Sequence, residues 1–105
     1  MIKHYQHYIN GAFCDPVSGS WFDSENPYTG EVWAKIAEGN ANDVDAAVKA
    51  ARAAFDGEWG TIGQTARGKR LGKLAEIIER EAVRLGEIEV SDNGKRSAEM
   101  GAERT

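Results

Sequence analysis

Up to residue 39 the apolar positions come in short bursts between turn formers; beyond it they recur at helical spacing. Tyr8-Ile9-Asn10-Gly11-Ala12-Phe13 sets Asn-Gly between two such bursts. Asn-Gly accepts the positive φ angles that a two-residue hairpin turn demands, so strands are expected at about 5–9 and 12–14. Asp15-Pro16-Val17-Ser18-Gly19-Ser20 reads as a loop. Trp21-Phe22-Asp23-Ser24-Glu25 reads as a short strand that stops at Asn26-Pro27. Proline lacks an N–H and holds the residue before it out of the helical region. Thr29-Gly30 completes the turn, and Val32, Ala34 and Ile36 then alternate with Trp33, Lys35 and Ala37 at the period of a strand.

The second part of the chain changes period. Val44, Ala47, Val48, Ala51 and Phe55 form one narrow, alanine-rich stripe on a predicted helix. Asn42 is the expected N-cap, with Asp43 and Asp45 putting negative charge on the first turn, and Asp56-Gly57 is the expected stop. Residues 58–64 are expected to be a loop. Thr65 is the expected cap of the next helix, in which Leu71, Leu74, Ala75, Ile78, Ala82 and Leu85 keep the helical period. A bend or break is expected near 79–82, with a second helical piece ending at Asp92-Asn93-Gly94, where Gly94 suits the position just past a helix end. Ala98-Glu99-Met100-Gly101-Ala102-Glu103 reads as the opening of a further helix. The division is therefore strands and turns over 1–39 and helices over 40–105, in a single incomplete domain. Taken alone, the chain reads as an α+β arrangement: a hairpin and short strands followed by two to three helices.

Composition narrows the partners. A chain of 105 residues makes one small domain. Its net charge of −4 argues against general affinity for nucleic acid or an anionic membrane. No apolar run is long enough for a transmembrane helix, and the first residues lack the apolar core of a signal peptide. A single cysteine makes no internal disulfide and points to a reducing cytoplasm as the default address.

Candidate chemistry is sparse. His4 and His7 lie three apart, which on a strand puts them on opposite faces and argues against a shared metal. Cys14 has no basic cluster, helix N-terminus or histidine base near it in sequence, so it reads as a small, part-buried strand residue. Gly57, Gly60 and Gly63 follow a helix at a spacing of three, whereas a dinucleotide loop needs G-x-G-x-x-G between a strand and a helix. Gly68 and Gly72 inside a helix each cost roughly 1 kcal/mol against alanine and hint at close approach of another backbone. Arg67, Lys69, Arg70 and Lys73 form a basic cluster, but Glu76, Glu79 and Glu81 follow at once, so a solvated face is the better reading than a nucleic-acid site. Asp92 beside a helix end could be a cap or an oxygen ligand for a cation, and from spacing alone the cap is the better reading.

Several landmarks then line up in order. They are Tyr8-Ile9-Asn10-Gly11; Asn26-Pro27-Tyr28-Thr29-Gly30-Glu31; Asp43-Val44-Asp45 with the run Ala47 to Phe55; Arg67-Gly68; Leu74-Ala75 with Ile78-Glu79-Arg80; and Glu89 with Asp92-Asn93-Gly94-Lys95. In that order and spacing the chain resembles the N-terminal part of an NAD(P)-dependent aldehyde dehydrogenase, over nearly its whole length. Arg96 stands where many members have proline. The resemblance implies an α/β protein several times longer, with cofactor, catalytic and oligomerisation domains. It implies that this segment packs on the cofactor domain, that NAD or NADP is the cofactor but is not bound by this segment alone, and that the partners are the remainder of the chain and further copies of it.

The family's reaction is attack of a cysteine thiolate on an aldehyde, hydride transfer to the nicotinamide, and release of the acid by water that a glutamate activates. None of those residues has a matching position here, and Cys14 does not correspond to the nucleophile. One feature carries over as an implication. Many members hold a structural monovalent cation, to which the aspartate matching Asp92 and the main chain at Ser24 and Glu25 contribute oxygens, the remaining ligands lying beyond residue 105. The expectation is an aldehyde dehydrogenase segment that is inactive by itself. The alternative is a non-enzymatic module that docks onto such an enzyme.

Overall fold

The computed structural model describes residues 2–94, so the helix expected at 98–103 lies outside the described residues. The chain divides into two compact units. Among the described residues, the first holds those up to Ser24 together with Ala34–Ile62, and the second holds Glu25–Trp33 and residues 63–94.

The first unit is built on strands. β1 (Lys3–Tyr5), β2 (His7–Ile9), β3 (Ala12–Cys14), β4 (Trp21–Glu25) and β5 (Val32–Ala37) form two sheets, one of order β1-β5-β4 and one pairing β2 with β3. Asn10 and Gly11 close the β2–β3 hairpin with φ of 54° and 76°, the pair of positive angles that the Asn-Gly turn was expected to supply. The strand expected at about 5–9 is in fact two. β1 pairs in parallel with β5, Lys3 opposite Ala34, whereas β2 turns away to pair with β3. The break falls at Gln6, whose side chain donates to Asp15 Oδ1 at 2.8 Å, so the chain changes partner there. On the other side of β5, Lys35 Nζ donates to Asp23 Oδ1 of β4 at 2.6 Å.

α1 (Ala41–Asp56) follows, capped two residues earlier than expected. Asn40, not Asn42, is the N-cap. Its Oδ1 accepts from the N–H groups of Asn42 and Asp43 at 3.0 and 3.1 Å, and Asp43 Oδ2 accepts from the Asn40 N–H at 3.0 Å. This reciprocal pair satisfies N–H groups that a helix start otherwise leaves unbonded. α1 stops at Gly57 as expected. The stretch expected as loop from 58 to 64 instead contains a short helix, α2 (Glu58–Thr61). A Cβ at Gly60 would overlap the Phe55 carbonyl, so glycine at this position lets α2 fold back on the end of α1.

The second unit carries α3 (Gln64–Arg80) and α4 (Ala82–Asn93). α3 is capped by Gly63 and not by Thr65, which lies inside the first turn, and Gly63 makes no side-chain cap bond. The expected break is at Glu81, where φ and ψ of −96° and 11° leave the helical region. α4 ends on Gly94, whose φ of 73° is left-handed and whose N–H donates to the Val90 carbonyl at 2.9 Å. The same unit holds the turn from Asn26. Asn26 Oδ1 accepts from the Tyr28 N–H at 2.9 Å, and the Gly30 N–H returns to the Asn26 carbonyl at 2.7 Å.

The apolar core is small. Among the described residues Ala34, Ala37 and Pro16 are the buried apolar residues, and no large side chain is fully enclosed. The expected stripe on α1 is present but uncovered, with Val44 59% and Phe55 63% exposed; Leu71 and Leu74 on α3 and Val83 on α4 are likewise exposed.

Two outcomes test these local devices. Asn40→Ala removes the cap acceptor and should cost about 1 kcal/mol in the unfolding free energy of α1, followed by helical circular dichroism in denaturant; an unchanged midpoint would refute the cap. Gly94→Ala places a Cβ 2.9 Å from Pro27 Cγ at a left-handed φ and should cost more than about 1 kcal/mol, read as lost amide-exchange protection at the end of α4.

Candidate functional site

Asp43, in the first turn of α1, is the buried charged side chain among the described residues, only 5% exposed. Three segments of the first unit converge on it. Oδ1 accepts from the Val17 N–H, in the loop after β3, at 3.1 Å; Oδ2 accepts from the Asn40 N–H; and His7 Nε2, on β2, lies 3.8 Å from Oδ2. The Asn40 N–H, followed by the Val17 N–H and the positive character of His7, holds the carboxyl below the usual carboxylate range, against the opposing effect of burial. Asp43 therefore stays ionised and tethers the hairpin, the loop and the helix start.

His7 also faces Cys14 across the hairpin ladder. The expectation of no histidine beside Cys14, made from sequence neighbours, is thus corrected by the strand pairing. Cys14 is half-buried, as expected. A Cβ placed on Gly39 would lie 3.6 Å from the His7 ring, so the segment before α1 closes over the imidazole. Nothing in this arrangement supplies the oxyanion donors that a nucleophilic cysteine site requires. His4 is placed elsewhere, edge-on to Trp21 with ring centroids 5.1 Å apart. Among the described residues no group of three or more His, Cys, Asp or Glu side chains could hold a metal ion.

The residues singled out for a cation are placed as follows. Ser24 is half-buried on β4 in the first unit; Glu25, the last residue of β4, and Asp92, the next-to-last of α4, belong to the second unit. Within that unit Gly94 packs on Pro27, which brings the carboxyl end of α4 beside the turn that begins just after Glu25. A helix carboxyl end carries partial negative charge, and Asp92 adds a full one.

The remaining candidates are structural. Gly57 and Gly60 serve the fold-back of α2, and the element directly before them is the helix α1 and not a strand. A Cβ at Gly68 or Gly72 would meet nothing, so no described backbone uses the room those glycines leave. Lys69, Arg70 and Lys73 lie on the exposed surface of α3, and Arg67 is half-buried. The site that sequence reasoning missed is the Asp43 tether. Its signal was an acidic residue three positions after Asn40, the spacing of a capping box.

Comparison with known proteins places this geometry. The model of the aldehyde dehydrogenase family matches residues 13–105. Aldehyde dehydrogenase 1 of Tanacetum cinerariifolium is 50% identical over 95 residues, which is 90% of this chain and 19% of that protein. The crystal structure of an NAD-dependent aldehyde dehydrogenase from Sinorhizobium meliloti superposes with a TM-score of 0.93 at 35% identity, over 99% of this chain and 21% of that one. The NAD+ complex of aldehyde dehydrogenase from Bacillus cereus gives a TM-score of 0.87 at 38% identity, over 90% and 20%. The chain thus spans about a fifth of the length of the relatives it matches.

Asp43 makes the first unit acid-sensitive in a defined direction. Its carboxyl titrates lower in the folded chain than its ordinary value of 3.8, so its stabilising effect is complete above that value and is lost as pH falls through the lower, folded one. Denaturant midpoints should fall across that acidic window in the natural chain. In Asp43→Asn the midpoint should start lower at neutral pH and change less on acidification. Parallel pH profiles for the two chains would overturn the assignment.

Proposed function

The chain belongs to the aldehyde dehydrogenase family, as an N-terminal segment of that fold, and from this premise we propose that it serves an enzyme oxidising an aldehyde to a carboxylic acid with NAD or NADP. The observation that carries the reading is the match to aldehyde dehydrogenases along nine-tenths of the chain but only a fifth of their length. That same pattern counts against the separate docking module, because the relatives carry this stretch as one part of much longer chains. The role of the segment is architectural: it supplies strands, turns and helices on which the remainder of the protein, and further copies of it, assemble. Uncovered apolar residues such as Val48, Phe55 and Leu71 support this.

The glycine-bearing stretch at 57–63 does not fit a dinucleotide. The glycines at 57, 60 and 63 follow a helix, and the space beside Gly60 is taken by the Phe55 carbonyl. No step of hydride transfer is therefore assigned to this chain. A monovalent cation fits better. Within the second unit, Asp92 at the carboxyl end of α4 and the main chain at Glu25, both pointed to by the resemblance, are oxygen donors of the kind a hard cation takes. When bound, the ion would neutralise the negative helix end and brace the turn at Asn26. Among the described residues no helix is long and apolar enough to cross a membrane, and the single Cys14 is compatible with a cytoplasmic setting.

Two measurements test the reading. The purified chain, mixed with NAD or NADP and a panel of aldehydes, should give no increase in nicotinamide absorbance above a denatured control; turnover would overturn the architectural assignment. In a longer protein carrying this segment, replacing choline by potassium should raise the thermal midpoint, and Asp92→Ala should abolish that increment. An increment of equal size in the variant would remove Asp92 from the cation site.

A further inference from the structure

We draw no further inference here: the strongest candidate, the side-chain cluster of His7, Cys14 and Asp43 where the β2–β3 hairpin meets the start of α1, consists of a lone half-buried cysteine and a 3.8 Å imidazole–carboxylate contact with no second observation pointing to a ligand.

Discussion

The first unit depends on one buried carboxylate. Asp43 is anionic, almost fully enclosed, and bonded to backbone N–H groups from two separate segments, with an imidazole from a third nearby. Burying a charge is tolerable only where such donors replace water. Here they also fix geometry: the Asn40 bond sets where α1 begins, and the Val17 bond sets where the loop after the hairpin lies. The buried apolar side chains, Pro16, Ala34 and Ala37, could not do this, since none of them makes directional bonds. In this unit polar bonding specifies the arrangement that a larger protein would specify by packing.

This explains which elements were legible beforehand. The hairpin at Asn10-Gly11, the strand at 21–25, the helix stop at Gly57, the break near 81 and the left-handed Gly94 all follow from backbone restrictions of one or two residues, and local chemistry announces them. The errors have a different origin. Asn40 and Asn42 both have an aspartate three residues on, so each is locally a fair capping box. What separates them is that Asp43 also reaches Val17 and His7, a tertiary fact. The split of the first strand at Gln6 is likewise decided by the distant partners β5 and β3. The Cys14–His7 pairing became visible only once the ladder register was known.

The candidate site follows the same rule. The landmark at Asn26 identifies a family, yet every bond it makes is a bond of shape. Asn26 folds the turn through its side chain, Gly30 supplies a φ of 73°, and Pro27 receives Gly94 at the end of α4. A residue set can therefore be highly diagnostic of an enzyme family without touching its chemistry. Asp92 stands between the two cases. It lies where a helix end favours positive charge, but its candidate role as a ligand came from the resemblance, because spacing alone favours a cap.

The unfilled part of the structure is as informative as the filled part. Fully burying a valine, leucine or phenylalanine is worth about 1.5–3 kcal/mol. Val44, Val48, Phe55, Leu71, Leu74 and Val83 are all left half-exposed or more, on helices whose length alone gives marginal stability in water. Gly68 and Gly72 add a local cost that nothing described offsets. A sequence shaped only for its own described residues would gain by placing polar residues on these faces and alanine at both glycines. That it does neither accords with the architectural role proposed above, in which further chain would cover those faces. The relatives it matches are about five times the length of this chain.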